Sequence, residues 1–221
     1  FDRCWLEASG SEDSHARTMW ALGECARSDL SASRRRWAAA LFMEALPVSE
    51  QFKSPRAWAF ALLGLDGFCA AVPPARRASA DSMPERLRVL FADKLMSIFA
   101  LVATDNWTWF ETGLAYDNAR LPQALIATGL ATQTSRYVDA GIRSLRWLTA
   151  LQTTPAGLFR PIGTDSFGEH QKRPHPFDQQ PLEATATIAA CFVAWRADAR
   201  RQWIGHAERA FAWFLGDNDL S

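Results

Sequence analysis

The sequence has no long apolar run and no excess of either charge. A transmembrane helix needs about 18 or more consecutive apolar residues, and no stretch of the chain reaches that length. Lysine plus arginine and aspartate plus glutamate each number 24 among 221 residues, so the formal net charge is zero. A domain that binds nucleic acid usually carries a basic excess. We therefore expect neither a membrane span nor a nucleic-acid partner.

Cysteine is also scarce, and none of the four residues belongs to a CxxC pair. Cys25, Cys69 and Cys191 lie in apolar stretches with helical spacing, which favours buried free thiols over a disulfide framework or a zinc site. Free thiols are typical of a reducing compartment. We therefore expect a cytoplasmic protein.

Motifs for nucleophilic or cofactor-dependent chemistry are missing as well. There is no Gly-x-Ser-x-Gly turn for an activated serine, and no glycine-rich nucleotide loop after a strand. His170 and His175 lie near Asp165 and Glu169, but the spacing does not match that of a zinc site. We therefore expect no metal and no cofactor.

What the sequence does contain is helical periodicity along nearly its whole length. Apolar residues recur three and four positions apart, and strand signals are almost absent. Pro47 is predicted to end the second helix, and Ser54 to cap the third. Tryptophans that fall on helical stripes are expected in the core: Trp20, Trp37, Trp58, Trp147, Trp195, Trp203 and Trp213. The pattern predicts an all-α fold with helices over about 11–28, 33–46, 55–72, 84–103, 118–131, 135–152, 181–195 and 200–215.

The last four predicted helices form two copies of one hairpin. Apolar positions from Tyr137 to Leu148 match those from Trp203 to Phe214 at a constant offset of 66 residues (203 − 137 and 214 − 148). Asp117 matches Asp178 at an offset of 61 (178 − 117), with an aromatic residue before each and an amide after it. Repeated αα-hairpins form either an open solenoid or a closed ring. Because this repeat is long and irregular, we favour a ring, an (α/α) toroid, in a single domain over 1–221.

The links that precede these helices point to a sugar ligand. The stretch from Asn106 to Glu111 holds two tryptophans, a phenylalanine, an amide and a carboxylate, and Phe177-Asp178-Gln179-Gln180 repeats the mixture more weakly. Aromatic faces stack on the C–H side of a pyranose, while carboxylates and amides bind its hydroxyl groups. The sequence therefore predicts a glycan-binding site.

Five segments resemble a bacterial helical domain of the six-hairpin glycosidase-like kind. They are Trp107 to Glu111, Tyr116 to Leu125, Gly157 to Pro161, Phe177 to Ala184 and Phe214 to Asp219. Domains of that family occur in or beside group-1 glycosyltransferases and beside mannoside phosphorylases. The resemblance implies a toroid that handles a glycan and a glycosyltransferase as a partner. It also implies a longer chain that completes the ring, so we expect a fragment that is truncated at both ends.

Glycoside hydrolysis needs two carboxyl groups, about 5–5.5 Å apart for retention or about 6.5–9.5 Å apart for inversion, and one of them must be protonated. We predict Glu111 as the acid, because Trp109 and Phe110 flank it. Asp117 or Asp178 is then the base or an orienting group. The predicted substrate-binding residues are Trp107, Trp109, Tyr116, Asn118, Arg120, Arg160, Phe177, Gln179, Gln180, Glu183, Asp13 and His15.

Other interpretations of these residues stay open. Asp117 and Asp178 could instead be simple helix N-caps. The long link over 153–180 could close as a lid over a glycan, with Arg160 placed to bind a carboxylate or phosphate. The chain could be a non-catalytic glycan-binding module for a glycosyltransferase, or a helical-repeat scaffold for proteins. The sequence does not decide between an enzyme and a binding module.

Overall fold

A computed structural model of the chain describes residues 10–72, 82–168, 170–172 and 174–218. Glu169 and Asp219, which the sequence analysis named, lie outside the described residues. The helices are α1 (Glu12–Ser28), α2 (Ala32–Ser49), α3 (Pro55–Ala71), α4 (Met83–Val102), α5 (Arg120–Thr132), α6 (Ser135–Leu151), α7 (Pro181–Asp198) and α8 (Gln202–Phe214). The prediction of an all-α fold made of helical hairpins is confirmed. No helix in the described ranges combines the length and apolar composition that a bilayer crossing demands.

One predicted helix end is wrong, and one predicted cap lacks its side-chain bond. α2 continues through Pro47 to Ser49 and ends in a tightened turn, in which the Glu50 N–H donates to the Pro47 carbonyl at 3.3 Å. Ser54 occupies the N-cap position of α3 and Pro55 its first helical position, as predicted, but the Ser54 side chain makes no cap bond. The Glu12 carboxylate accepts bonds from the N–H groups of Lys53 (2.8 Å) and Ser54 (2.9 Å) instead, so a negative charge lies at the positive end of α3.

The chain packs as two compact units, Phe1–Phe91 and Ala92–Ser221, and the boundary between them falls within α4. The predictions of a single domain and of a toroid stay predictions. In the first unit α1 packs closely along α3, where glycines let the two backbones approach. A Cβ atom added at Gly64 would lie 2.7 Å from the Met19 carbonyl oxygen, and one added at Gly23 would lie 2.2 Å from the Gly64 carbonyl oxygen.

We expect Gly64→Ala to lower the free energy of unfolding by about 1–3 kcal/mol, because the new methyl group must push the α1 backbone away. Gly205→Ala is the matched control. It also lies within a helix, but its added Cβ would meet only the Arg209 guanidinium, at 3.6 Å. There the substitution should stabilise the protein by about 0.4–1 kcal/mol. Urea unfolding of both variants measures the difference, and equal stabilities would contradict the close packing.

In the second unit α5 packs against α6 and α7, and α7 packs against α8. A Cβ atom at Gly141 would lie 2.9 Å from the Pro122 carbonyl oxygen, so the α5–α6 contact also depends on a glycine. Tyr137 joins α6 to α4 through a 2.6 Å bond from its hydroxyl to the Asp93 carboxylate. These contacts place the starts of α5 and α7, and the links before them, in one unit.

The core prediction for the tryptophans is right at some positions and wrong at others. Trp58 and Trp203 are buried, whereas Trp37 is 60% exposed and Trp195 is 44% exposed. In α2 the buried stripe passes through Ala38, Phe42 and Leu46, which turns the neighbouring Trp37 towards solvent. Among the cysteines, Cys69 and Cys191 are buried free thiols, as predicted, whereas the free thiol Cys25 is only partly buried. Burial raises the pKa of the Cys191 thiol to about 12, so it is an inert part of the core.

Candidate functional site

The two repeated aspartates share an uncommon backbone conformation. Asp117 has a φ of +53° and Asp178 a φ of +56°, the left-handed region that aspartate and asparagine tolerate better than most residues. Neither residue is a helix N-cap: Ala119 occupies that position in α5 and Gln180 in α7, and neither makes a side-chain cap bond. The interpretation of these aspartates as N-caps is therefore wrong. Each one instead turns the chain three residues before its helix begins.

The first copy, Asp117, is buried in an ion pair. Its carboxylate lies 3.3 Å from the Arg120 guanidinium, and the two side chains are 4% and 7% exposed. Arg120 also donates to the Gln123 amide oxygen at 2.8 Å. A buried pair with a further hydrogen bond holds its geometry, because separating the two charges leaves one of them buried without its partner.

A second buried contact joins the two copies of the motif. The fully buried Glu183 carboxylate accepts bonds from the Asn118 backbone N–H (3.2 Å) and from the Asn118 side-chain amide (3.1 Å). The Asn118 amide oxygen also accepts from the Ala115 N–H at 3.1 Å. The link before α5 is thereby fixed to the first turn of α7. We refer to the Asn118–Glu183 contact as the clasp.

The second copy of the motif faces solvent. Phe177 is 66% exposed, and Asp178 is also exposed. Pro181 occupies the position that corresponds to Arg120 in the first copy (181 − 61), so no arginine lies three residues after Asp178. The segment is nonetheless held in place: the Asp178 carbonyl accepts from the Thr164 N–H at 3.1 Å, and a Cβ atom at Gly163 would lie 1.8 Å from the Phe177 carbonyl oxygen.

The exposed segment also contacts α8. The Gln179 amide oxygen accepts a 2.7 Å bond from the Trp213 indole N–H, and the Gln179 amide nitrogen donates to the Pro176 carbonyl at 2.8 Å. Trp213 is partly exposed. Phe177, Asp178, Gln179 and Trp213 thus provide two aromatic rings, a carboxylate and an amide in one region. We call these four residues the Phe177 surface.

The tryptophans of the link before α5 are buried. Trp107 is 6% exposed and Trp109 is 0% exposed, and both pack against Trp147 of α6, with ring centroids 4.9 and 5.7 Å from it. The Trp107 indole donates to the Glu111 carbonyl at 2.6 Å. The Trp109 indole N–H is buried without a hydrogen-bond partner among the described residues. These rings hold the link against α6, and their predicted role as stacking platforms stays a prediction.

The other predicted residues of this link lie nearer the surface. Glu111 and Tyr116 are both partly exposed, unlike the tryptophans before them and Asp117 after them. Tyr116 therefore differs from its repeat partner Phe177, which is largely exposed. Gln180 is also partly exposed, directly before α7. The repeated motifs therefore differ in exposure as well as in sequence.

The long link over 153–180 is tied to its neighbours by backbone bonds. The Gly168 N–H donates to the Leu114 carbonyl at 2.8 Å, the Gln171 N–H donates to the Thr112 carbonyl at 2.7 Å, and the Arg160 N–H donates to the Gln152 carbonyl at 2.7 Å. Arg160 is partly exposed and lines a small, mostly polar cavity with Thr153, Thr154 and Pro174 among its walls. The prediction of a lid stays a prediction.

Asp13 and His15 belong to the first unit. Asp13 forms an ion pair with Arg17 at 2.8 Å one turn along α1. His15 bonds to the Ala45 carbonyl at 2.9 Å and meets the Phe52 ring edge-on. His15 also lines an open depression at the start of α1, together with Glu12, Gln51 and Lys53. Both side chains therefore have structural partners, and their predicted role in binding is not decided by these contacts.

Sequence reasoning missed two residues of the Phe177 surface and its support. Trp213 is predicted to lie in the core because it falls on a helical stripe, and it does pack against the buried Phe159 and Ala184, but it stays partly exposed. No sequence pattern indicates a role for Gly163, because that role depends on the close approach of Phe177, which lies 14 residues later (177 − 163). His206 also lies on α8, where its ring meets Trp203 and bonds to the Arg209 guanidinium. Burial and the neighbouring Arg209 lower the pKa of His206 to about 4, which leaves it neutral at physiological pH.

In the part of the chain that the structure describes, no three histidine, cysteine, aspartate or glutamate side chains come together as a metal site requires. The candidate site consists of two parts. The buried Asp117–Arg120 ion pair and the clasp fix the links before α5 and α7, and the Phe177 surface is exposed. Comparison of the chain with protein-family models, curated proteins and solved structures gave no match.

Proposed function

We propose that the protein binds a glycan at the Phe177 surface. The observation that supports this is a largely exposed aromatic ring next to an exposed carboxylate, on a backbone that is held by Gly163 and the Thr164 N–H. At 66% exposure, Phe177 gains little from burial in the folded chain. A sugar ring stacked on it would remove apolar area from water, and Asp178 would accept hydrogen bonds from the hydroxyl groups.

The left-handed conformation of Asp178 supports the same proposal. A non-glycine residue at positive φ is held against a local preference, and such residues are frequent at ligand sites. In the first copy of the motif, the same turn positions Asp117 for a buried ion pair with Arg120. In the second copy the arginine is replaced by Pro181, so the turn presents its carboxylate to solvent. We assign a structural role to the first aspartate and a binding role to the second.

Whether the bound glycan is also cleaved is a separate question. Asp117 is committed to the Arg120 pair, so under this proposal hydrolysis would use the partly exposed Glu111 and the exposed Asp178. A non-catalytic module that serves a glycosyltransferase needs the same surface and breaks no bond. We favour the binding module, with hydrolysis by Glu111 and Asp178 as the alternative.

Phe177→Ala tests the proposal. Screening of the wild-type protein on an oligosaccharide array identifies a ligand, and titration calorimetry then compares the variants. Loss of one stacking ring should weaken binding by about 0.5–1.5 kcal/mol, or roughly two- to twelvefold. Phe192→Ala is the matched control, because Phe192 is a 49% exposed phenylalanine on α7 outside the Phe177 surface.

The proposal fails if no array glycan binds, or if Phe177→Ala and Phe192→Ala bind as well as the wild type. The same samples are assayed for new reducing ends. Release of reducing ends that is abolished by Glu111→Gln would favour the hydrolase over the binding module. A bound glycan that stays intact would favour the module.

A further inference from the structure

The end of α6 and the long link over 153–180 enclose a small, mostly polar cavity. Its walls are formed by Leu151, Thr153, Thr154, Arg160, Pro161, Ile162 and Pro174. Among the described residues that line it, Arg160 alone is charged, so the cavity favours a negatively charged group. Arg160 is partly exposed, so a ligand can reach it from solvent. We call this feature the Arg160 cavity.

The backbone of Arg160 is held in place from two directions. Its N–H donates to the Gln152 carbonyl at 2.7 Å, and the Gln152 side chain accepts a bond from the Thr187 hydroxyl of α7 at 3.1 Å. The preceding residue, Phe159, is 4% exposed and forms a core cluster with Ala184 of α7. A charged group on a fixed support loses less entropy when it binds a ligand than one on a free segment.

The Arg160 cavity and the Phe177 surface lie along the same two segments, which run side by side in the same direction. At one end Ile162 and Pro174 share the cavity, and at the other the Thr164 N–H donates to the Asp178 carbonyl at 3.1 Å. Four residues separate the two ends, about 13 Å in an extended chain. An oligosaccharide of a few sugar rings spans such a distance, so one ligand can contact both places.

We propose that the glycan bound at the Phe177 surface is acidic, and that Arg160 binds the carboxylate of one of its uronic acid residues. The inference rests on the proposed function, because it concerns the same ligand. The guanidinium group presents a planar fork of N–H donors that matches the two oxygens of a carboxylate. One guanidinium also balances the single charge of a carboxylate, whereas a phosphate group carries a charge of about −1.5 to −2.

The Asp178 carboxylate is compatible with an acidic ligand, because it lies at the other end of these segments. Over about 13 Å of extended chain the repulsion between two solvent-exposed carboxylates is largely screened, since the Debye length is about 8 Å at physiological ionic strength. The uronate would therefore occupy the Arg160 cavity. A neutral ring of the same glycan would stack on Phe177 and donate hydroxyl hydrogens to Asp178.

The test uses pairs of oligosaccharides that differ only at the carboxylate. Fragments of hyaluronan, alginate and oligogalacturonate are each compared by titration calorimetry with their carboxyl-reduced forms, in which a hydroxymethyl group replaces the carboxylate. We expect the wild type to bind at least one acidic form about ten- to a hundredfold more tightly than its reduced form. Arg160→Gln, which keeps amide donors but not the charge, should remove this preference. Arg196→Ala, at an exposed arginine of α7 outside the cavity, should keep it.

Circular dichroism checks that Arg160→Gln keeps its helices. If it does not, Arg160→Lys replaces it, because lysine keeps the charge without the planar fork and should lower the preference. An acidic preference that survives the substitution of Arg160, or one that Arg196→Ala removes equally, overturns the inference. So does a wild type that binds mannose 6-phosphate more tightly than every uronate.

The outcomes also separate this inference from glycan binding itself. If the wild type binds only neutral glycans and Phe177→Ala weakens them, the proposed function stands and the acidic ligand is overturned. If Arg160→Gln abolishes uronate binding while Phe177→Ala leaves it unchanged, the Arg160 cavity stands and the Phe177 surface is overturned. If no glycan of either kind binds, both proposals fail.

Discussion

Replacing Asp117 with alanine is expected to lower the free energy of unfolding by about 3–5 kcal/mol. The substitution leaves the Arg120 guanidinium buried without its carboxylate, because both side chains are less than a tenth exposed. The Gln123 amide oxygen remains as a partner for Arg120, which favours the lower end of that range. Urea unfolding followed by circular dichroism measures the loss.

The repeat supplies the control for this experiment. Asp178→Ala removes an aspartate with nearly the same φ, but from an exposed position with no arginine three residues later. It therefore reports only the cost of placing alanine in the left-handed region, about 1–2 kcal/mol. The difference between the two variants isolates the buried ion pair. Equal losses at both positions would mean that the Asp117–Arg120 pair contributes nothing to stability.

Replacing Glu183 with alanine is expected to cost about 3 kcal/mol or more. Two hydrogen bonds to a charged group are lost, each contributing about 1.5–3 kcal/mol, although the Asn118 side-chain amide keeps its bond to the Ala115 carbonyl. Glu208→Ala, at an exposed glutamate of α8, should change the stability by no more than about 0.5 kcal/mol.

A double-mutant cycle with Asn118→Ala assigns the loss to the clasp. If the clasp is the cause, Glu183→Ala should cost much less in the Asn118→Ala background, and the coupling energy should fall within about 0.5–3 kcal/mol. Additive effects of the two substitutions would show that Glu183 stabilises α7 by some other contact.

The helices could be predicted from the sequence because their apolar positions recur with the helical period. The errors concern the helix ends and caps, which were predicted from local sequence rules alone. Pro47 lies inside the last turn of α2 and does not end it. The side chain of the N-cap residue Ser54 makes no cap bond, and the Glu12 carboxylate, 41 residues from Lys53, accepts from the N–H groups that precede α3. Sequence distance hides contacts of this kind, so no local pattern indicates them.

The candidate site was predictable in its repeated motif but not in its exposure. The two copies differ in the residue three positions after the aspartate, Arg120 in one and Pro181 in the other, and that difference separates a buried pair from an exposed carboxylate. The sequence shows Arg120 and Pro181, but whether each aspartate is buried depends on which copy of the motif the neighbouring helices enclose. Trp107 and Trp109 show the same limit, because only the packing against Trp147 reveals that they are buried.

The clasp also has a consequence for the order of folding. Its two residues are 65 positions apart, and the whole α5–α6 hairpin lies between them. Local helical contacts form fast, whereas a contact across so long a loop must first overcome the entropy of closure. A bond that forms after the transition state slows unfolding while it leaves the folding rate nearly unchanged. The Asn118–Glu183 contact would then lower the unfolding rate and so lengthen the lifetime of the native state, while the folding rate stays nearly the same.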